Sequence, residues 1–233
     1  STLSYCPSSP NTTLNIALAS GAIIERVGLI GDANTINNNT PGASDFYQDY
    51  TATMYADITE GQSYTVDVTL NGITPGTSLS NYSGAKVYID YNIDGVFDPI
   101  TELVGTVPYR TASTLGIAES ITFTVPSTGV YGPTRMRVVS QNLFAANSSG
   151  IGPCDAPALP STAQPWYGAT EDYSIVLNAP PSSSITYQWS NSSGIMSGET
   201  NSSISGLAAG SYSVDITDDN SCVTTDIAVI NIA

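Results

Sequence analysis

Apolar and polar residues alternate with a period of two from one end of this chain to the other, and that pattern confines the fold to β-structure. In Gln62–Leu70 the side chains of Tyr64, Val66, Val68 and Leu70 fall on one face, and Ser63, Thr65, Asp67 and Thr69 on the other. Ile121, Phe123 and Val125 repeat the pattern, as do Tyr173, Ile175 and Leu177. Further strands are expected near Ile24–Ile30, Phe46–Ala52, Ala85–Tyr91 and Thr134–Ser140. Turn clusters separate them: Gly31-Asp32-Ala33-Asn34, Asn71-Gly72, Pro75-Gly76 and Pro126-Ser127-Thr128-Gly129. No segment keeps a helical apolar stripe for three turns. Gly, Pro, Asn, Ser and Thr are abundant while Lys, Glu and Gln are scarce, which favours strands and turns over helices. The expected fold is all-β: a β-sandwich of jelly-roll or Ig-like kind, with two sheets burying alternate residues between them.

Asn178-Ala179-Pro180-Pro181-Ser182-Ser183-Ser184 marks a boundary, because prolines and serines in succession make a short linker. The expected organisation is a sandwich over 1–178, a linker over 179–184 and a small Ig-like β module over 185–233. In the module Tyr212, Val214 and Ile216 alternate with Ser211, Ser213 and Asp215, and Tyr187 and Trp189 share a face suited to its core. A β-unit so small has a marginal core and is expected to lean on a neighbouring domain. Its last strand, near Val223–Ile232, is a candidate edge through which the chain could self-associate.

The chain lacks histidine, which removes Ser-His and Cys-His pairs and His-liganded metal sites within it. Five basic residues stand against twenty acids, for a net charge of −15. Such a surface repels phosphate backbones and anionic bilayers, so neither nucleic-acid binding nor membrane insertion is expected. No apolar run reaches membrane-spanning length, and Ser1–Pro10 lacks the parts of a signal peptide, so the chain reads as a processed or excised piece of a soluble protein. Of three cysteines, Cys6 and Cys154 lie near the ends of the larger block, where a disulfide would tie its termini. Cys222 is then unpaired within the chain. A disulfide, few lysines and several Asn-x-Ser/Thr triplets point to an extracellular setting.

The candidate metal site is the stretch Tyr88–Asp98. Counted as a calcium loop, Asp90, Asn92 and Asp94 take the first three ligand positions, Gly95 the turn, the Val96 carbonyl the next and Asp98 the one after. Glu102 stands one residue beyond the closing position, and strand-like flanks with Pro99 exclude a helix-loop-helix hand. Ca²⁺ is the expected cofactor, since clustered carboxylates repel one another unless a cation lies between them. The alternative is an Asx-rich turn whose carboxylates cap backbone amides.

Two other constellations carry chemistry. Glu171 and Asp172 resemble the paired acids of a glycosidase, with Asp90 or Asp98 as partner, but such pairs are common. The structural reading has Asp172 pairing with Arg135 or Arg137 while its neighbour, on the opposite face, meets solvent or the cation. Trp166 and Tyr167, at the end of the long loop from Pro153, are either a sugar-stacking pair or a plug over the sheet edge.

Taken together, Tyr5-Cys6, IERVGLIG (24–31), FYQDYTA, EGQSYTVDV, YIDYNIDGVFD, FTVP (123–126), GPTRMRVV (132–139), Pro153-Cys154 and GATEDYSIVL (168–177) resemble, in order, the GEVED domain of secreted and cell-surface proteins of Bacteroidetes-type bacteria. The resemblance spans about residues 5–177. In the name-giving motif Gly168, Glu171 and Asp172 match, while Ala169 and Thr170 depart. The tail, about 185–233, resembles a partial repeat of gliding-motility adhesins of the SprB kind, through Tyr187-Gln188-Trp189-Ser190-Asn191, ISGLAAGSY (204–212) and Asp218–Cys222. These resemblances imply a non-catalytic module of a multidomain surface or secreted protein, acting as adhesin, stalk or filament building block. Its expected partners are neighbouring domains and a glycan or surface ligand. The alternative is a carbohydrate-binding module appended to a secreted hydrolase.

Overall fold

The computed structural model describes residues 3–9, 23–40, 47–71, 82–110, 114, 116–143, 151–154, 168–181, 184–218 and 222–231. The chain divides into two compact units, Ser1–Pro180 and Pro181–Ala233. Every regular element among the described residues is a strand.

Among the described residues the larger unit holds ten strands: β1 (Ile23–Ile30), β2 (Thr35–Asn39), β3 (Tyr47–Asp49), β4 (Tyr55–Thr59), β5 (Ser63–Asn71), β6 (Tyr82–Ile89), β7 (Leu103–Arg110), β8 (Ala118–Thr124), β9 (Gly132–Leu143) and β10 (Gly168–Asn178). One sheet has the order β2-β1-β5-β8 and is antiparallel throughout. The other runs β3-β10-β9-β6-β7, with β4 also on β10. Both β3 and β4 pair in parallel with the same edge of β10, Tyr47–Asp49 against Thr170–Asp172 and Tyr55–Thr59 against Ser174–Asn178. Between them the chain turns outward, held where the Tyr50 amide donates to the Asp172 carbonyl and the Ser174 amide to that of Met54. This single interrupted strand explains why the expected strand over Phe46–Ala52 ends at Asp49 and resumes at Tyr55.

The alternating residues meet between the sheets. Val27, Leu29, Val66, Val68 and Leu70 come from one side, and Val87, Ile89, Met136, Val138, Tyr173 and Ile175 from the other, all buried. Each such side chain contributes roughly 1.5–3 kcal/mol by leaving water, so the pattern that defines the strands also supplies the core. In this unit three of these strands escaped the sequence reading. In β2 the sequence TINNN buries only Ile36 and Asn38, and β4 and β7 are short or mostly half-exposed, so their alternation is faint.

In the smaller unit β11 (Thr186–Asn191), β12 (Gly194–Ile195), β13 (Gly210–Thr217) and β14 (Val223–Ile230) form one antiparallel sheet of order β12-β11-β13-β14. Tyr212 and Val214 are buried on one face. The Trp189 indole and the Tyr212 hydroxyl each donate to a loop carbonyl, those of Asn201 and Ala208, and pin the 198–209 loop to that face. β14 lies at the sheet edge, with Val223, Ile227 and Val229 exposed.

Candidate functional site

The acidic loop follows β6 directly. Asp90 is fully buried; its carboxylate accepts the amides of Asp94 (3.2 Å) and Gly95 (3.0 Å) and the Tyr5 hydroxyl (2.8 Å). Asn92 accepts the Asp94 amide (3.0 Å) and donates to the Asp94 carboxylate (3.0 Å), which accepts the Val96 amide (2.8 Å). Gly95 sits at φ +84°, a conformation that glycine adopts freely, and Ile93 is held at φ +56° beside it. Glu102 reaches back from the start of β7 and accepts the amides of Tyr91 (3.1 Å) and Asp98 (2.8 Å). Burial raises its carboxyl above the ordinary glutamate value, and the nearby Asp90 and Asp94 push the same way. Asp98 turns instead to the amides of Thr101 and Ile100, which hold its carboxyl below the usual aspartate value.

The loop therefore brings Asp90, Asn92 and Asp94 together and sets Glu102 beside them, while Asp98 caps the following turn. The donors are all oxygen, the chemistry a hard cation requires. In this arrangement their oxygens point to backbone amides, and among the described residues no three Asp, Glu, Cys or His side chains are grouped as metal ligands.

A second polar centre lies on the outer face of the β9–β10 ladder, where Asp172 pairs in register with Arg137. Arg137 is only 1% exposed and grips Asp172 in bidentate fashion, both bonds at 2.7 Å. Its remaining nitrogen donates to the carbonyls of Cys6 and Pro153, each at 2.9 Å, and the group lies over the Phe97 ring. Those carbonyls flank the Cys6–Cys154 disulfide, whose Cα atoms are 5.7 Å apart. Arg135 adds a third ion-pair contact to Asp172 at 3.0 Å. Arg-x-Arg on one strand puts both guanidinium groups on one face, and that spacing was the available signal.

Glu171 faces the other way, into the sandwich, at 1% exposure. It does not meet solvent, one of the two places the sequence reading gave it, because β10 is buried on both faces from Gly168 to Tyr173. Tyr173 donates to its carboxylate, and Asn38 donates to the Tyr173 hydroxyl at 2.7 Å. Burial pushes the Glu171 carboxyl up to about 7. A carboxyl raised on folding binds its proton more tightly in the native state than in the unfolded chain, so stability falls as pH rises from about 4.5 to about 7. The full loss is roughly 3 kcal/mol above that window. Glu171→Gln should flatten this component: relative to wild type, the variant gains melting temperature between pH 5 and pH 8. Parallel pH profiles for the two proteins would refute the assignment.

Trp166 and Tyr167 lie outside the described residues, and Cys222 is exposed with a free thiol.

A family model of the GEVED domain matches residues 84–176, from β6 through the acidic loop and Arg137 to β10. A comparison with curated proteins finds no match. Among solved structures the chain is similar to domains 3 and 4 of rat CD4, at 9% identity, covering 76% of this chain and 99% of that one, with a TM-score of 0.22. It is also similar to the DIP-gamma IG1+IG2 structure, at 6% identity, covering 78% and 92%, with a TM-score of 0.28.

Proposed function

We propose that this chain is a non-catalytic, calcium-stabilised module of an extracellular or cell-surface multidomain protein, serving adhesion or acting as a stalk or filament unit. The observation that carries the reading is the acidic loop inside the GEVED-matched region. Asp90, Asn92 and Asp94 surround a glycine turn, and Glu102 is buried with its carboxyl raised next to two of them. Ca²⁺ there would relieve the repulsion among these acids and stiffen the connection between β6 and β7. The disulfide supports an oxidising compartment. Glu171, one of the paired acids of the glycosidase alternative, is enclosed in the core, out of reach of a substrate.

Thermal unfolding in EDTA and then in millimolar Ca²⁺ tests the reading. Binding at a hundred times Kd adds about 2.7 kcal/mol, which for a chain of this size is a rise of roughly 5–10 °C. Asp90→Ala/Asp94→Ala will melt lower in EDTA, since Asp90 also holds two amides and Tyr5, but should show no response to Ca²⁺. Identical wild-type melts in both buffers, with no ion found by elemental analysis, would sink the calcium assignment.

A further inference from the structure

We propose that the cleft beside Arg135 binds an acidic sugar, a hydroxyl-rich ring bearing one carboxylate. The cleft, about 520 Å³, is within the size range of small-ligand sites. Its walls are the N-terminal segment at Leu3 and Tyr5, the outward turn at Thr51 and Ala52, β9–β10 at Arg135 and Ser174, and Ile93. These walls are fixed by features already described: the disulfide beside Tyr5, and the Tyr50 and Ser174 amides that clamp the turn. A site held by such supports needs little reorganisation to bind.

The ligand class follows from which hydrogen-bonding groups remain available. Arg135 gives one nitrogen to Asp172, and its guanidinium rests 4.4 Å from the centre of the Tyr5 ring with its side chain 22% exposed. Among the described residues its Nε and Nη2 have no hydrogen-bond partner. Arg135 and Arg137 share the single Asp172 carboxylate as their contacting counter-ion. Asp49 feels both guanidinium groups, but its Oδ1 is taken by the amide and hydroxyl of Thr51.

The hydroxyls have the opposite character. Thr51 donates to Asp49, Ser174 to the Thr51 carbonyl and Tyr5 to Asp90. Each proton is committed to the protein, so the Thr51 and Ser174 oxygens are left as acceptors, while the Tyr5 oxygen already lies 3.2 Å from that of Thr134. The complement is a ligand that brings several O–H donors and one anionic acceptor, with C–H faces for Leu3 and Ile93. A peptide C-terminus offers the carboxylate but few donors. A neutral sugar offers the donors but leaves Arg135 unanswered, and unmatched polar groups are what discriminate between ligands.

The cleft shares Ile93 and Tyr5 with the acidic loop, so titrations run both in EDTA and in millimolar Ca²⁺ test it apart from the calcium reading. D-Galacturonate should bind saturably with a millimolar Kd by titration NMR, at least tenfold tighter than D-galactose and an acetylated dialanine. N-Acetylneuraminate, run alongside, tells a uronate from a sialate preference. Arg135→Gln should weaken galacturonate at least tenfold with the fold intact by circular dichroism. Ala52→Trp, which fills the cleft and leaves Arg135 in place, should do the same. No saturable galacturonate binding, equal binding of galactose or the peptide, or indifference to both variants would overturn the proposal.

Discussion

Replacing both Cys6 and Cys154 by serine will lower the stability of the larger unit by about 5 kcal/mol, one of the two largest effects expected in this protein. The bond joins residues separated by 148 positions, and closing a loop that long removes much of the freedom of the unfolded chain. The native contacts around it survive the substitution: Arg137 bonds the Cys6 and Pro153 carbonyls, and the Ser8 hydroxyl meets that of Thr170 at 2.7 Å. The loss should therefore come mainly through the unfolded state, as a fall of roughly 10–20 °C in melting temperature with little change in the folded spectrum. Denaturant titration of both proteins measures it. A difference below about 1 kcal/mol would mean that the unfolded chain already keeps these segments together.

Arg137→Met should cost about 3 kcal/mol, because it leaves the fully buried Asp172 carboxylate with only Arg135 and the Tyr47 hydroxyl. Methionine keeps much of the volume but supplies none of the four hydrogen bonds that the guanidinium makes to Asp172 and to the two carbonyls beside the disulfide. Arg135 remains on Asp172, from a side chain that is partly exposed, and softens the loss without cancelling it. Asp172→Asn alone should also destabilise, by leaving Arg137 short of its counter-charge. The double variant should lose less than the sum of the two, by about 2 kcal/mol or more, as expected for a coupled pair. Additivity within about 0.5 kcal/mol would show that the two side chains act independently and would refute the coupling.

Both effects converge on one place. Arg137 and the disulfide draw the N-terminal segment, the stretch before Cys154 and the β9–β10 ladder into a single packed corner. Tyr5, in that segment, touches Asp90 of the acidic loop on one side and Arg135 of the cleft on the other. A loss of the disulfide should thus loosen the loop and the cleft as well as the termini.

Much of this was legible in the residues. Tyr64, Val66, Val68 and Leu70 announced a strand face, and Tyr173, Ile175 and Leu177 another, because side chains on a strand alternate whatever the strand pairs with. The acidic spacing from Asp90 to Asp94 around Gly95 dictated a tight oxygen-lined turn, since that depends on neighbours in sequence alone. What the residues left open depended on partners far along the chain. Glu171 and Asp172 are adjacent and chemically alike, yet one is enclosed beside Tyr173 and Asn38 and the other is gripped by Arg137. Only the stacking of two sheets decides which face of β10 is interior and which guanidinium stands opposite. The cleft, too, required Leu3, Thr51, Arg135 and Ser174 to meet. Local order is set by local geometry, and it could be read from the chain. Burial and charge pairing are set by what folding brings into contact, Asp172 with Arg137 35 residues away and Glu171 with Asn38 133 away, and that only the tertiary structure decides.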